Sequence, residues 1–225
     1  MAVTQEKAPL KKRTAPKEVR RKQLIMAAMD SISKRGFSDT TLKHVTEKAK
    51  LSHGVVNYHF DSKEALYDAT LGFLAKEHYE LWTKLLAEAG DDPAMQLKAF
   101  IEADFDKKVC TAKKLAVWFA FWGQAKYRPN YLKIHNRYDD ERHLEIKRIC
   151  SQIISEGGYT NLKADNTART IEALTDGFWL DLMLYPSDAK RLTCRLDCLN
   201  ALSLIFPKHF SAEQNSKDNQ CSKPV

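Results

Sequence analysis

Residues 41–63 read TLKHVTEKAKLSHGVVNYHFDSK, and this stretch fits two short helices joined by a tight turn. Leu42, Val45 and Ala49 recur at the spacing of one helical face, which predicts a first helix that begins near Thr41. A threonine at that point can cap the exposed N–H groups of the first helical turn. Two short helices in this arrangement are typical of a helix-turn-helix.

The second helix of the pair has little to bury, because only Val56 and Phe60 are placed to face inward. The remaining side chains are mostly hydroxyls, imidazoles and an amide, which suit phosphate oxygens and base edges near a helix N-terminus. Gly54 allows close backbone approach to a neighbouring helix or to a DNA duplex. Val55 can meet a thymine methyl group, and Asn57 can pair with a base edge. An ordinary surface helix is the alternative interpretation of this pattern.

The positive charge of the chain is concentrated at one end. Residues 1–63 contain 14 lysines and arginines against 6 acidic residues, whereas residues 64–225 contain 22 and 23. A run of seven basic residues between positions 11 and 22 leads into the first helix and can neutralise phosphates. For residues 1–16, a solubilising disordered tail is the alternative interpretation.

Long segments of helical periodicity, separated by only 8 glycines and 7 prolines, predict an all-α fold. We expect a disordered basic arm at 1–16, a three-helix helix-turn-helix DNA-binding domain at 17–62, a larger helical body at 63–210 and a disordered tail at 211–225. Gly36 is expected to end the first helix, and Asp61 with Glu64 to form a capping box for a long helix. Helices are expected near 17–35, 62–89, 93–108, 112–127, 129–155, 165–185 and 188–206.

Several classes of protein are disfavoured by what the sequence lacks. It contains no apolar run long enough for a membrane span and no apolar core near its start, so neither a membrane protein nor a signal peptide is expected. The five cysteines are interpreted as reduced thiols of a cytoplasmic protein. Cys194 and Cys198 have a spacing that allows a metal or redox site, but small buried residues are the favoured interpretation. No phosphate loop, zinc spacing or nucleophile elbow occurs, so we expect no enzyme, no metal and no cofactor.

The body contains a group of aromatic residues that can bind a cation. Trp118, Phe121 and Trp122 share one helical face, and Trp179 lies in a later helix close to Asp176. Aromatic faces attract cations, so several of them with a carboxylate suit a quaternary ammonium. Packing of the same aromatic residues in the core is the alternative.

The amino-terminal part resembles the TetR family of bacterial repressors over about residues 18–70. The matching motifs are Lys34-Arg35-Gly36-Phe37, Thr40-Thr41-Leu42, Ala49-Lys50-Leu51-Ser52-His53-Gly54, Asn57-Tyr58-His59-Phe60 and Lys63-Glu64-Ala65-Leu66. The resemblance implies that Tyr58, His59 and Lys63 face phosphates and that residues 52–57 face bases. Asn57 and Asp61 depart from the Tyr and Lys that many relatives carry. The residues expected to contact DNA are Thr41, Ser52, His53, Gly54, Val55, Asn57, Tyr58, His59 and Lys63.

The body resembles the choline-sensing BetI repressors of glycine betaine synthesis. The matching stretches are Asp104-Phe105-Asp106, Ala116-Val117-Trp118-Phe119-Ala120-Phe121-Trp122, Arg128-Pro129-Asn130-Tyr131 and Ala173-Leu174-Thr175-Asp176-Gly177-Phe178-Trp179-Leu180. Asp181 departs from the Arg that such repressors tend to carry. The resemblance implies that the body binds a small-molecule effector, choline or another quaternary ammonium, and also forms the dimer. The residues expected to bind it are Phe105, Trp118, Trp122, Asp176 and Trp179.

The TetR resemblance also implies a homodimer that pairs through its last two helices and binds a palindromic double-stranded operator. The apolar residues offered for this interface are Leu192, Leu196, Leu199, Leu202 and Phe206 with Ile171, Leu174 and Leu182. Two alternatives stay open. One is a regulator of the same type that senses a drug, a lipid or an aromatic metabolite, and the other is an architectural protein that binds DNA without a preferred site.

Overall fold

Helices form all of the regular structure in the computed structural model, which describes residues 16–187 and 189–211. No strand occurs within these residues, and the prediction of an all-α fold is confirmed. The arm before Pro16 and the tail after Ser211 lie outside the described residues. The helices are α1 (Lys17–Arg35), α2 (Leu42–Ala49), α3 (His53–His59), α4 (Lys63–Glu88), α5 (Pro93–Asp104), α6 (Ala112–Ala125), α7 (Pro129–Gly157), α8 (Ala164–Leu184) and α9 (Arg191–Ile205).

Local sequence signals set the ends of the first helices. Gly36 ends α1 with a φ of 78°, a conformation that glycine adopts without a steric penalty. Thr41 caps α2 by accepting a hydrogen bond from the backbone N–H of His44, whose Nδ1 accepts one from the N–H of Thr41 in return. Lys50 closes α2 in the left-handed conformation, with a φ of 52°. This residue turns the chain from α2 into α3.

The first three helices and the start of α4 share one apolar core. Leu24 and Ala28 of α1, Val45 of α2 and Val56 of α3 are all buried. The hydroxyl of Tyr67 in α4 donates a buried hydrogen bond of 3.0 Å to the carbonyl oxygen of Thr40. The beginning of α4 is therefore fixed to the segment that precedes α2. Contacts with α1 and α2 position α3, the predicted recognition helix of the helix-turn-helix.

The end of α5 and the N-terminal cap of α4 are among the features that differ from the predictions. Helix α5 ends at Asp104 rather than near 108, because the N–H groups of Val109 and Cys110 bond to the carbonyl oxygen of Asp106 in a turn. Ser62, and not Asp61, caps α4 by accepting a hydrogen bond of 3.0 Å from the N–H of Ala65. None of the described helices combines the length and the apolar character that a membrane crossing needs.

Helix α9 packs on α5 and α8 within the single chain. Leu199, Leu202 and Phe206 are completely buried there, and Ile171 and Leu182 of α8 are buried as well. The prediction that these five residues form an interface with a second chain is therefore wrong, since they already belong to the core. Apolar side chains that remain exposed on the two helices are Leu180, Leu184 and Tyr185 with Leu192 and Leu204.

Candidate nucleic-acid interface and ligand cavity

Helix α3 presents most of its side chains to solvent. Tyr58 is 71% exposed, and Asn57 beside it is also exposed. Val56 and Phe60 are buried, as their spacing predicts. Of the other residues predicted to contact DNA, Thr41, Ser52, His53 and Gly54 are exposed, and Val55, His59 and Lys63 are half-buried. The structure thus brings these residues to one end of the molecule, with the sides of α3 open to a partner.

Two residues at the start of α3 are not required for packing within the chain. Ser52 occupies the N-cap position, but its side chain makes no capping hydrogen bond. A Cβ atom added to Gly54 would meet only the Ser52 Oγ atom, at an ordinary distance of 3.8 Å. The absence of a side chain at Gly54 allows an external partner to approach closely, and the unused hydroxyl of Ser52 can bond to its phosphates or base edges.

Cations surround α3 and are held by aromatic rings. The Lys17 Nζ atom lies 5.6 Å from the centre of the Tyr58 ring, and the Arg21 guanidinium lies 4.9 Å from that of Phe60. The Lys63 Nζ atom lies 5.1 Å from the Tyr67 ring centre. Contacts of this kind position positive charge beside the helix without neutralising it. The result is a basic surface around α3.

Three tryptophans meet around a small cavity in the body, which we call the tryptophan cavity. Trp118 and Trp122 of α6 have ring centres 5.9 Å apart. The ring centre of Trp179, on α8, lies 6.5 Å from that of Trp118 and 6.4 Å from that of Trp122. Asp176 of α8 lines the same cavity, whose volume is about 40 Å³. Four of the five residues predicted to bind a ligand are therefore together.

Phe105 is the exception. It is completely buried and does not line the tryptophan cavity, so the structure does not support a ligand contact by its ring. Its neighbour Asp104 lines the cavity instead.

Three carboxylates line the cavity, and they differ in their partners. Asp139 Oδ2 lies 3.9 Å from His135 Nδ1. Asp104 Oδ1 lies 2.8 Å from His78 Nε2, and Oδ2 lies 2.6 Å from Arg142 Nη2. Burial by itself would raise the pKa of Asp104, but the Arg142 charge and the His78 hydrogen bond hold this pKa below its usual value. Asp104 is thus an ionised carboxylate committed to protein partners, and its carbonyl oxygen accepts a hydrogen bond of 2.9 Å from Trp179 Nε1.

Asp176 has no hydrogen-bond partner for its carboxylate among the described residues, and it keeps an exposed surface towards the cavity. The surrounding protein atoms nevertheless displace much of its water. This desolvation, together with the negative charge of Asp104, raises the pKa of Asp176 to about 7. Asp176 is the carboxylate that a bound cation can still use.

A larger cavity opens directly beside the first, and we call it the outer cavity. Its volume is about 420 Å³. It shares Trp122, Asp176 and Arg142 with the tryptophan cavity, so the two spaces are adjacent and have these residues as a common wall. Leu71, Phe121 and other apolar side chains form much of its remaining wall.

Comparisons with known proteins agree with this architecture. A family described as "BetI-type transcriptional repressor, C-terminal" matches residues 93–207, and "Bacterial regulatory proteins, tetR family" matches residues 24–70. The HTH-type transcriptional regulator BetI of Burkholderia thailandensis is 31% identical over 166 residues, which is 73% of this chain and 82% of that protein. The chain belongs to the BetI-type TetR family. It is accordingly a ligand-responsive DNA-binding regulator and not an enzyme.

Solved structures show the same TetR fold. A transcriptional regulator from Pseudomonas aeruginosa PAO1 has a TM-score of 0.75 and 25% identity, covering 88% of this chain and 97% of that one. A regulator from Saccharomonospora viridis, solved in complex with choline, has a TM-score of 0.72 and covers 83% of this chain and 96% of that one. Its identity of 18% establishes a common fold only.

Several residues lining the cavity of this TetR-type body were not predicted from the sequence. Helix α4 contributes His78, Tyr79 and Trp82, while α7 contributes His135 and Tyr138. Trp82 follows His78 by four residues and Tyr79 by three, and Tyr138 follows His135 by three. These spacings were a usable signal, because such residues share one face. The sequence alone did not show that these faces turn towards α6 and α8.

The DNA-binding head, which consists of α1 to α3, contacts the helical body through α6 as well as through α4. Asp30 of α1 is buried, and its carboxylate lies 3.0 Å from Lys113 Nζ of α6 and 3.1 Å from Lys48 Nζ of α2. The Phe37 ring, after α1, has its centre 5.6 Å from that of Phe121 of α6. Since Trp118 and Trp122 also lie on α6, one helix contacts both the tryptophan cavity and the head.

Proposed function

We propose that this protein is a homodimeric repressor that binds a palindromic double-stranded DNA operator and responds to choline or a related quaternary ammonium. Its proposed targets are genes of choline and glycine betaine metabolism, and its place of action is the cytoplasm. The observation that carries the proposal is the tryptophan cavity, where Trp118, Trp122 and Trp179 surround the uncommitted carboxylate of Asp176. The BetI relatives and the choline complex of the Saccharomonospora viridis regulator support the same interpretation.

The geometry indicates where the ammonium group would bind. The point midway between the Trp122 and Trp179 ring centres is about 3.2 Å from each, less than the ~3.5–4.0 Å that contacting carbon atoms need. A methylated ammonium therefore does not fit between these two rings as they stand. It would instead lie against the edges and faces that line the cavity, within reach of Asp176, or separate the rings on binding. Either arrangement combines cation–π attraction with a carboxylate.

Separation of these rings by a movement of α6 would transmit ligand binding to the DNA-binding helices. Helix α6 contacts Asp30 of α1 through Lys113 and contacts Phe37, just after α1, through Phe121. Helix α4 begins directly after the recognition helix α3. A ligand that binds one arrangement of α6 more tightly would shift the spacing of the two heads in the dimer. The size of this shift is limited by the difference in its affinity for the two conformations.

The proposed test measures binding of choline to the full chain by calorimetry, together with footprinting of DNA from upstream of the gene. We expect choline to bind, its neutral isostere 3,3-dimethyl-1-butanol to bind far more weakly, and a protected palindrome whose occupancy changes when choline is added. Binding of a hydrophobic drug or lipid without binding of choline would favour the other type of TetR effector. Uniform protection of DNA would contradict a repressor.

Choline is expected to bind more tightly as the pH rises. The cation attracts the ionised form of Asp176, and the pKa of this residue lies near 7, so affinity should rise as the pH increases through 7 and fall by up to about tenfold per unit well below it. Binding near pH 7 should therefore release a proton. Calorimetry in buffers with different ionisation enthalpies measures this release.

The matched control for pH is Asp176→Asn, which should remove the proton release that this carboxylate causes. His78 and His135 also line the cavity, and any pH dependence left in the variant would come from such groups. An unchanged proton release in the variant would exclude Asp176 as its source.

We propose that Tyr58, His59 and Lys63 contact phosphates, and that Ser52, His53, Gly54, Val55 and Asn57 contact bases. Lys63→Ala should weaken binding to operator and to unrelated DNA by similar factors, because a phosphate contact carries no sequence information. The slope of log affinity against log salt should fall by about one. Gel-shift titrations over a range of salt concentrations measure both effects. Loss of operator binding alone would instead assign Lys63 to base recognition.

The proposed dimer uses the apolar side chains of α8 and α9 that the single chain leaves exposed. Leu204 is 84% exposed and Leu184 is 52% exposed, and the two helices that carry them pack against each other. Pairing of two such faces would bury these leucines and arrange two copies of α3 for two operator half-sites.

Thr41, whose hydroxyl oxygen caps α2, remains in the proposed DNA surface as an exposed residue at its edge.

A further inference from the structure

The proposed function assigns no part of the ligand to the outer cavity, although it is much the larger of the two spaces. The tryptophan cavity, at about 40 Å³, holds roughly three water molecules if one water needs about 10–15 Å³. That is room for an ammonium head and little more. The outer cavity, at about 420 Å³, lies within the ~300–1,000 Å³ typical of pockets for larger organic ligands.

We propose that the effector is a quaternary ammonium with an uncharged apolar substituent of several carbons, such as an alkyl or acyl chain, whose head binds in the tryptophan cavity and whose chain fills the outer cavity. This inference rests on the proposed function, because it places the ammonium group beside Trp118, Trp122 and Trp179. It adds the chemical class of the remainder of the ligand.

The wall of the outer cavity suits a chain better than a polar group. Leu71 of α4 and Phe121 of α6 are almost completely buried, and they line it together with Trp122, Ala125 and Leu132. Burial of a methylene group against such a wall is favourable, since apolar surface leaves water. The substituent of the ligand would therefore gain affinity with length until the cavity is full.

The charges of the outer cavity argue against an anionic substituent. Its two arginines already have carboxylate partners: Arg142 is paired with Asp104 and Glu172, and Arg169 with Asp165. A carboxylate or phosphate on the ligand would have to displace one of these pairs and would also lie near the negative charges of Glu172 and Asp176. An uncharged chain displaces no ion pair and is not repelled by these carboxylates.

The test is a calorimetric series at pH 8 on the full chain, with tetramethylammonium and the ethyl-, butyl-, hexyl- and octyltrimethylammonium ions below their micelle concentrations. We expect the Kd to fall by about two- to fourfold per methylene group until the cavity is full. Octyl sulfate, with the same chain and the opposite charge, should not bind measurably. Octyl sulfate binding as tightly as octyltrimethylammonium would overturn the proposal.

Two variants of α6 locate the chain. Ala125→Phe reduces the outer cavity, so it should abolish the gain with chain length and leave the Kd of tetramethylammonium within about twofold of the original protein. Ala112→Phe makes the same substitution at the exposed start of α6, outside both cavities, and should leave the whole series unchanged. An unaltered gain with length in Ala125→Phe would place the chain elsewhere and overturn the inference.

The outcomes separate the inference from the proposed function. Binding of every ammonium ion with the same Kd would overturn the two-cavity ligand and leave an ammonium-responsive repressor standing. Failure of all of them to bind, tetramethylammonium included, would overturn both.

Discussion

Replacement of Asp176 by asparagine is expected to weaken choline binding by about 30-fold at pH 8. Two unit charges about 4 Å apart interact by roughly 4 kcal/mol at an effective dielectric constant near 20, and the open cavity reduces this to about 2 kcal/mol. At pH 8 most of the Asp176 carboxylate is ionised, since its pKa is about 7. Calorimetric titration of the original protein and the variant measures the difference.

Asp181→Asn is the matched control for this experiment. Asp181 lies on the same helix and is exposed, but it lines neither cavity, so its replacement should leave the choline Kd unchanged. The neutral isostere 3,3-dimethyl-1-butanol should bind the original protein and Asp176→Asn about equally, because it lacks the charge. Equal choline affinities for the original protein and Asp176→Asn would show that the cation does not bind beside this carboxylate.

Replacement of Leu204 by glutamate is expected to convert the dimer into monomers and to weaken binding to the palindromic operator by about 10²–10⁴-fold. The reason is that two linked heads bind two half-sites with an avidity of this order, which separate heads lose. Leu204 is 84% exposed in the single chain, so the substitution should leave the fold of each chain intact. Analytical ultracentrifugation, circular dichroism and gel shifts measure the three quantities.

Leu144→Glu provides the control, because Leu144 is also well exposed, at 62%, but belongs to α7 and not to α8 or α9. It should remain dimeric and bind the operator normally. A stable dimer of Leu204→Glu would exclude this face of α9. Truncation before α9 is a poorer test, since it would also remove Leu199, Leu202 and Phe206 from the core of the chain.

Local features of the sequence predicted much of the fold. Gly36 ends α1, and Pro93 and Pro129 begin α5 and α7, because each residue restricts or permits backbone angles in a way that does not depend on distant contacts. The capping of α4 was assigned one residue too early, to Asp61 rather than Ser62. Both residues can cap a helix, and local pattern does not distinguish them.

The candidate cavity was predicted less completely, since it depends on how the helices pack. Trp118 and Trp122 share a face of α6, and the BetI resemblance connected them with Trp179 and Asp176. Phe105 was assigned to the site through the Asp104-Phe105-Asp106 stretch of the same resemblance, but Asp104 lines the cavity and Phe105 is buried in the core.

The residues of the dimer surface were also predicted incompletely, because their location depends on how the helices pack. Periodicity showed that Leu199 and Leu202 share an apolar face of α9, but a face of this kind can pack inside its own chain or against a second one. The structure shows that these residues are buried within the chain. The exposed Leu204, which belongs to a different face, had no signal in the sequence to distinguish it.

The sequence contains four tryptophans, and all of them, Trp82, Trp118, Trp122 and Trp179, line the tryptophan cavity. Intrinsic indole fluorescence therefore comes from this one place, and the DNA-binding head contributes none of it. A change in emission on adding an ammonium ion would report cavity occupancy without any label. A change on adding operator DNA alone would report movement transmitted from the head to the body. The same fluorescence signal can therefore follow both ligand binding and DNA binding.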